Sequence, residues 1–284
     1  MVYMAWTASQ MVDNDFIWWS RFVGDTWSPQ RPFPEGHSSS SPALVNWFGT
    51  LYMAWKGIDN EKLWWSRFDG KAWSPATSLL DGQSSTSPAL AANRLGLYMA
   101  WKGRDDNYMW WSSFVGDTWS SPASLTDRQS STGPALAGSG GHLSMAWKGA
   151  DDEKLWWSSF DGGTWSSPAS LTDRQSSTRP ALASNSSGLH MAWTAPKMGD
   201  SNYIWWSSFD WGSSLEGGTW SSPVSLTDRQ SSTSPALASD NDQLSMAWKG
   251  TDDEKLWWSR FDGKTWSPPA SLVDGRSSNG PALG

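Results

Sequence analysis

The sequence predicts an all-β fold: a six-bladed β-propeller with four antiparallel strands in each blade. Three observations predict it. The chain of 284 residues holds 26 tryptophans but only 5 tyrosines and 9 phenylalanines. Met-Ala-Trp, Trp-Trp and Pro-Ala-Leu each recur six times, and the Pro-Ala-Leu prolines are spaced by 46, 46, 46, 55 and 46 residues. No segment shows the 3.6-residue apolar period of a helix, whereas a repeat length in the forties is typical of propellers. We expect a single propeller domain over residues 1–284, made of six repeats of about 46 residues.

Each repeat predicts four short strands, named A to D in chain order. In the fourth repeat, strand A is Pro-Ala-Leu-Ala, strand B covers 143–147, strand C covers 155–160 and strand D begins at 164–166. Glycine, aspartate, asparagine and proline separate these segments, as expected for turns. Blades pack face to face, so both faces of a strand are buried and two consecutive tryptophans are permitted. The fifth repeat is longer because insertions fall between Trp193 and Trp205 and between Asp210 and Thr219.

The chain ends predict that the ring is closed by its termini. The first repeat begins directly at strand B, and its strand A is missing. The last five residues, Gly280 to Gly284, read as a strand A that no blade follows. We therefore expect the C-terminal segment to complete the first blade, which leaves a propeller only short, protected edges.

Composition and charge exclude several classes of function. The chain has no cysteine, which rules out disulfides, thiolate metal sites and a cysteine nucleophile. Its net charge of -7 and pI near 4.9 argue against a nucleic-acid partner. No apolar run is long enough to span a membrane, and no signal peptide is visible at the N-terminus. These features predict a soluble protein, cytoplasmic or released without a leader, that is a monomer or small homo-oligomer and needs no cofactor.

A polar turn precedes the third tryptophan of each repeat. In the fourth repeat it reads Asp161-Gly162-Gly163-Thr164-Trp165. The segment resembles the Asp-box of sialidases and related propellers, although it is one residue shorter, and Val23 and Val115 replace the aspartate in two copies. In that family the motif is a structural turn between strands C and D, far from the active site, and we interpret it in the same way here.

Two other polar segments recur on what should be the opposite rim. The predicted D–A loop starts with an acid and ends in Ser-Ser in all six repeats, and in three repeats it reads Asp-Arg-Gln-Ser-Ser. The B–C loop reads Lys-Gly-x-Asp-Asp/Asn in four repeats, whereas repeats one and five have Thr-Ala and three extra residues. Aspartate and Ser-Ser are also common turn caps, an interpretation that leaves the lysines and arginines unexplained.

This polar set, repeated beside the first tryptophan of each Trp-Trp pair, predicts shallow sugar sites. An indole face stacks on a pyranose ring, while charged and amide side chains bind its hydroxyl groups. We expect the most complete sets near repeats three, four and six. The predicted sugar-binding residues are Lys56, Lys102, Lys148, Lys249, Trp64, Trp110, Trp156, Trp257, Asp127, Arg128, Gln129, Asp173, Arg174, Gln175, Asp228, Arg229 and Gln230.

The whole chain resembles the tandem-repeat propeller lectins of fungi and bacteria in repeat number, tryptophan content and Asp-box-like turns. That resemblance implies multivalent binding of cell-surface glycans, with one site per blade or blade junction. The repeats do not match the motif of the six-bladed fucose lectins, so no binding residue is carried over from them. The repeats also look like sialidase-like repeats in bacterial proteins of unassigned function.

Two other functions and a metal site agree less well with the sequence. A sialidase-like glycosidase needs unequal catalytic groups in one pocket, whereas the glutamates are few and three of the five share one repeated loop position. A scaffold for a protein partner would show divergent rim loops, and these loops are alike. The Asp-Asp-Glu segment offers calcium ligands, but its adjacent lysine favours an ion-paired turn. We therefore expect a lectin, not an enzyme, without a bound metal.

Overall fold

The structure, a computed structural model, describes residues 1–8, 16–195, 202–210, 218–240 and 242–284. In these ranges the chain contains strands and turns and no helix, so no helix there could cross a membrane. The strands form six antiparallel sheets arranged as a six-bladed propeller. The fold class predicted from the repeat is therefore confirmed.

The four main strands of a blade run outward from the axis in the order A, B, C and D, and blades 1, 3 and 5 have a fifth, two-residue strand paired with strand C, at Thr26–Trp27, Thr118–Trp119 and Thr219–Trp220. The A strands of blades 1 to 6 are Ala282–Leu283, Ala43–Trp47, Ala89–Ala92, Ala135–Ser139, Ala181–Asn185 and Ala236–Asp240. The B strands are Tyr3–Thr7, Thr50–Lys56, Leu97–Lys102, His142–Lys148, Gly188–Thr194 and Gln243–Lys249. The C strands are Phe16–Val23, Lys62–Phe68, Tyr108–Val115, Lys154–Phe160, Tyr203–Asp210 and Lys255–Phe261. The D strands are Arg31–His37, Thr77–Gln83, Ala123–Gln129, Ala169–Gln175, Val224–Gln230 and Ala270–Arg276.

The ring is closed by its two ends, as predicted. Ala282–Leu283 pairs antiparallel with strand B of blade 1, placing Leu283 opposite Met4. Tyr3 N donates a hydrogen bond to Gly284 O over 2.7 Å, and Gly284 N donates one back to Tyr3 O over 3.0 Å. The first blade is thus completed by residues that lie at the opposite end of the chain.

The core lies between blades. Strand B is buried along its length because neighbouring blades cover both of its faces, and Met145, Ala146 and Trp147 are at most 2% exposed. The second tryptophan of each Trp-Trp pair packs across a junction: the ring centroid of Trp157 in blade 4 lies 4.8 Å from that of Phe209 in blade 5. These contacts explain why the sequence keeps aromatic residues at both faces of a strand.

The outer strand differs from the sequence prediction. Strand D of blade 4 is Ala169–Gln175 and does not begin at 164–166; Trp165 forms only an isolated bridge with Phe160. Pro168 directly precedes this strand, and its missing N–H disfavours an unbroken ladder. As a result, the Asp-Arg-Gln segments predicted in a D–A loop lie at the end of strand D. The lysines predicted in the B–C loop likewise end strand B.

The Asp-Gly turn has the geometry of a backbone cap. Asp161 Oδ1 accepts hydrogen bonds from Gly163 N and Thr164 N, both at 2.8 Å. These two bonds stabilise the carboxylate and lower the pKa of Asp161. The turn joins strands C and D on the face opposite the B–C connections.

Three sequence predictions fall outside the described residues. They are the lengthened B–C loops of repeats one and five, within 9–15 and 196–201, and the second insertion of repeat five, within 211–217.

Candidate functional site

The B–C and D–A connections meet on one face of the ring, which we call the B–C face. Ser130, in the D–A connection after blade 3, forms a β-bridge with Gly149 in the B–C loop of blade 4. Ser131 Oγ also donates a hydrogen bond to Gly149 O over 3.3 Å. Each junction on this face therefore joins the end of strand D in one blade to the B–C loop of the next.

The predicted lysines clamp these junctions. Lys102 is only 8% exposed, and its Nζ donates to Ser85 Oγ at 2.9 Å and to Asp106 O at 3.0 Å. The same lysine-to-serine contact is 3.1 Å for Lys148 with Ser131 and 3.4 Å for Lys249 with Ser232. Lys56 is as buried as Lys102. The ammonium groups of Lys102, Lys148 and Lys249 hold the second serine of the Ser-Ser pair across the junction.

The B–C loop orients the first tryptophan of each Trp-Trp pair. Trp156 is partly buried, and its Nε1 donates to Asp152 Oδ1 over 3.4 Å. Both groups pack on Gly149, where an added Cβ would lie 2.1 Å from Asp152 Oδ1 and 3.1 Å from Trp156 Nε1. The glycine of Lys-Gly is required because the aspartate and the indole fill its side-chain space.

The other three Lys-Gly loops have the same arrangement. In each, the glycine lies against the indole nitrogen of the predicted tryptophan and a loop aspartate or asparagine. The matching sets are Gly57, Asn60 and Trp64; Gly103, Asp106 and Trp110; Gly250, Asp253 and Trp257. Sequence reasoning found these tryptophans but missed the aspartates that orient them, although their fixed spacing of four residues before the indole was a usable signal.

A bulge in strand D places the arginine and aspartate. In blade 3, Gln129 pairs with Tyr108 and Leu125 pairs with Met109, so three residues of strand D lie between two consecutive partners on strand C. The looped-out residues are Thr126, Asp127 and Arg128. Such a bulge turns successive side chains away from the regular alternation of a strand. Arg128 can therefore point into the junction while Asp127 faces solvent.

Arg128 fills the gap between blades 3 and 4. It is 3% exposed and its Nη2 donates to Ser158 Oγ at 2.9 Å and to Ser166 O at 2.5 Å. The guanidinium carbon lies 6.0 Å from the ring centroid of Trp147 and 5.7 Å from that of Trp165. Burial lowers the pKa of Arg128, and the charge of Asp127 partly offsets that effect. A guanidinium nevertheless stays protonated in proteins, so the junction contains a buried cation between two indoles.

Arg174 and Arg229 repeat this arrangement. Arg174 Nη2 donates to Ser207 Oγ and Ser221 O in blade 5 at 3.1 and 2.5 Å. Arg229 Nη2 donates to Ser259 Oγ and Ser267 O in blade 6 at 3.0 and 2.7 Å. Each arginine also binds the aspartate before it, and burial lowers the pKa of each.

The groups that face solvent are the aspartate and the glutamine. Asp127 has 57% of its side chain exposed while one of its oxygens is bound by Arg128. Gln129 is exposed beside it. A cavity of about 290 Å³ lies at this junction and brings together Asp127, Gln129, Asp152, Trp156 and Pro168. Three predicted site residues from two blades therefore line one pocket, and the arginine lies behind it.

The pairing between blades determines which junctions hold the whole set. Junction 3/4 combines Arg128 with the Lys-Gly loop that carries Trp156, and junction 5/6 combines Arg229 with the loop that carries Trp257. At junction 4/5, Arg174 meets the Thr-Ala loop of blade 5. Junctions 1/2 and 2/3 have the loop without the arginine, and junction 6/1 has neither.

Glycine replaces the arginine at the other three junctions, and the space is closed there. An added Cβ on Gly82 would lie 2.4 Å from Leu79 Cδ2, and Asp81 adopts a φ of 57°. In blade 1, Phe33 approaches both Trp55 and Trp73 to 5.3 Å between ring centroids. A neighbouring apolar side chain therefore crowds the position at which the arginine branches.

Comparison by sequence finds no relative. No protein-family model matches the chain, and neither does any curated protein. The similarity of this chain to known proteins therefore lies in its fold.

Among the described residues, no group of three or more acidic or histidine side chains is placed to hold a metal ion.

Several solved structures match nearly the whole chain at low sequence identity. A point mutant of the Aleuria aurantia lectin, in complex with α-methyl-L-fucoside, has a TM-score of 0.67 at 16% identity and covers 98% of this chain and 96% of its own. The SapL1 lectin, in complex with α-methyl fucoside, has a TM-score of 0.61 at 14% identity, with 94% and 95% covered. A chain of a nidogen/laminin complex has a TM-score of 0.61 at 11% identity, with 100% and 98% covered. The chain is thus similar in fold to fucose-binding propeller lectins and to a chain of the nidogen/laminin complex.

Proposed function

We propose that the protein is a carbohydrate-binding lectin whose most complete sites lie at junctions 3/4 and 5/6. One observation carries the proposal. At junction 3/4 a solvent-facing carboxylate held by a buried arginine, an exposed amide and a partly exposed indole line the same cavity of about 290 Å³. Site residues of this kind, presented in a shallow concave surface, suit a saccharide.

Each group has a distinct role toward a pyranose. Asp127 accepts hydrogen bonds from sugar hydroxyl groups, and Arg128 fixes its carboxylate so that little side-chain entropy is lost on binding. Gln129 both donates and accepts. Trp156, whose indole N–H is bound to Asp152, presents its ring to the apolar C–H face of the sugar. Lys102, Lys148 and Lys249 position the loop and do not contact the ligand in this scheme.

The two complete sites face the same side of the ring. A small ligand in a shallow cavity buries little area, so each site should be weak. Two sites on one face raise the strength of binding to a dense glycan surface without any new contact. The partners are therefore glycans displayed on cell-surface glycoconjugates. The lectin neighbours with fucosides in their structures support this assignment by likeness of fold.

Two other functions fit the structure less well. A glycosidase would need paired carboxyl groups acting on one bond. In the described residues, the aspartates of junction 3/4 recur at junction 5/6. A glycosidase with a single catalytic pocket would not need this second copy. A protein scaffold is the second alternative. The repetition of the same Asp-Arg-Gln bulge favours a small repeated ligand over one asymmetric partner.

The test compares matched aspartates in one protein. Asp127 and Asp228 are both replaced by asparagine, and the control replaces Asp81 and Asp274, which precede glycine in the same bulge. We expect the first double variant to lose at least tenfold in affinity for an immobilised glycan identified on an array, since hydrogen bonds to a charged group contribute about 1.5–3 kcal/mol. The control should bind as the parent does. Equal affinity for free monosaccharide and dense surface, or equal loss in both variants, would contradict the proposal.

A further inference from the structure

The six residues that precede the strand-A prolines surround the axis on the B–C face, and one of them is charged. They are Ser41, Ser87, Gly133, Arg179, Ser234 and Gly280. The cavity inside this ring has a volume of about 60 Å³ and is lined by the six Pro-Ala-Leu segments and by Arg179. The junction sites described above lie farther from the axis, so the axial mouth is a separate feature.

Arg179 reaches sideways along the ring. Its Nη1 donates to Pro88 O in the chain before strand A of blade 3 over 3.0 Å, passing blade 4. Gly133 makes this possible: an added Cβ there would lie 3.4 Å from Arg179 Cδ and 2.4 Å from Ser87 O. Burial lowers the pKa of Arg179 to about 10, so the side chain is still a cation at neutral pH.

The positive charge of Arg179 is not offset by a carboxylate in the described part of the chain. A partly buried cation without a counter-charge is costly, and an anion would remove that cost.

A hydroxyl group beside Arg179 is also without a partner. Thr86 Oγ1 is buried and makes no hydrogen bond, and it lies 3.2 Å from the Cβ position of Gly133, on which Arg179 also packs. Hydroxyl or amide side chains occupy the equivalent position in every blade: Ser40, Thr86, Thr132, Thr178, Thr233 and Asn279. Thr132 and Thr178 donate their hydroxyl groups to backbone carbonyl groups, whereas the hydroxyl groups of Ser40 and Thr86 have no partner, and Thr86 lies beside Arg179.

We propose that the axial mouth is an oxyanion site, in which Arg179 binds a carboxylate, sulfate or phosphate group and the hydroxyl group of Thr86 donates to it. The net charge of -7 means that the protein as a whole does not attract anions, so anion binding here would depend on the local charge of Arg179. The oxyanion can be free or carried by an acidic saccharide. The proposal stands on residues that the junction sites do not use.

The test titrates sodium sulfate into the full-length protein by calorimetry, with sodium chloride replaced so that ionic strength is constant. Arg179→Ser is a mild change because serine stands at the same position in blades 2, 3 and 6, and Arg179→Gln keeps a donor for Pro88 O without the charge. We expect both variants to bind sulfate at least tenfold more weakly than the parent. The exposed Arg94→Ser is the control and should bind sulfate as the parent does.

Two further arms separate the sources of the oxyanion and the two kinds of site. Glucuronate competing with sulfate, where glucose does not, would assign the site to an acidic saccharide, whereas sulfate binding without glucuronate competition would assign it to a free oxyanion. The Asp127→Asn, Asp228→Asn double variant should still bind sulfate. Glycan binding by that variant and sulfate binding by the Arg179 variants therefore test the two proposals independently. Undiminished sulfate binding by Arg179→Ser, or none by the parent, would overturn the axial site.

Discussion

Arg128 is nearly inaccessible to solvent, so any contribution it makes to the proposed sugar site is indirect. Its guanidinium is bound by Ser158, Ser166 and Asp127 and lies between two indoles. Replacing buried charged side chains with apolar side chains of similar volume often leaves the free energy of unfolding unchanged. The position therefore allows the roles in folding and in binding to be separated.

Replacing Arg128 with methionine should separate them. Ser166 O keeps its bond from Ser158 Oγ at 2.8 Å, and Asp127 is exposed, so no buried group is left without a partner. We expect the free energy of unfolding in urea to change by about 1 kcal/mol or less. Binding at junction 3/4 should fall at least tenfold because the Asp127 carboxylate is no longer held. A large loss of stability with unchanged glycan binding would show that the arginine is only structural.

His190 gives the molecule a sensitivity to acid. It is 3% exposed, it bonds with Asn185 Oδ1 at 3.0 Å and Ser187 Oγ at 3.2 Å, and burial lowers its pKa to about 4. The folded state thus disfavours the protonated ring. The unfolded chain takes up the proton below about pH 6.5, so stability is full above that value and falls as pH drops from 6.5 to about 4.

The loss over that range should be about 3 kcal/mol, an order-of-magnitude value from the difference between the two pKa values. Serine occupies the same strand position in blades 4 and 6, as Ser144 and Ser245, so His190→Ser is a matched change. We expect the variant to lose less stability than the parent between about pH 7 and pH 4.5, measured by urea unfolding at each pH. An identical pH dependence of the two proteins would be inconsistent with this role for His190.

At the scale of the element, the B–C loop shows why sequence and loop length change together. Lys-Gly loops fold back so that aspartate and indole fill the space beside the glycine. Repeats one and five have alanine at that position, Ala8 and Ala195, and their loops are three residues longer. A methyl group at that position would displace the aspartate from its place beside the indole, so alanine does not fit the short loop as it stands.

Gly149→Ala should therefore disturb junction 3/4. The added Cβ would lie 2.1 Å from Asp152 Oδ1, so the aspartate must move and release the Trp156 indole. We expect weaker glycan binding at this junction and a loss of about 1–3 kcal/mol in the free energy of unfolding, as for overpacking. Gly163→Ala, in the opposite turn, is the control because its Cβ would meet nothing closer than 3.5 Å. Calorimetric titration measures glycan binding by both variants, and thermal melting measures their stability. Equal binding and equal melting temperatures in the two variants would contradict this role of Gly149.

At the scale of the whole molecule, the repeat predicted the fold because every copy carries the same buried strands. Trp147 and its equivalents are at most 2% exposed in all six blades, so the period and the apolar pattern were sufficient to predict them as core. The sites were harder to predict, since each is assembled from two blades. The loop that an arginine contacts depends on the direction in which the arginine crosses the junction. The bulge that turns Arg128 in this direction cannot be recognised from the alternation of polar and apolar residues in strand D.

Closure of the ring is the property of the whole molecule that a truncation tests. Removing Gly280 to Gly284 deletes strand A of blade 1 and exposes the edge of strand B. Deleting a buried strand also removes its packing against blades 6 and 2, so we expect a clear fall in the melting temperature of the entire protein. Replacing the exposed Met1 side chain with alanine is the control, because it keeps the terminal ammonium group that binds Asp240. A truncated chain that melts with the parent would mean that the ring does not depend on this strand.

The meeting of both chain ends in one A–B turn has a practical consequence for orientation. Strand A begins at the B–C face and strand B ends there, so Gly284 and Tyr3 lie on the opposite side of the ring. A fluorophore or a surface tether attached at either end would therefore point away from a glycan-coated cell on which the B–C face is docked. Immobilising the protein by either end would leave its binding side presented outward, as a sensor chip requires.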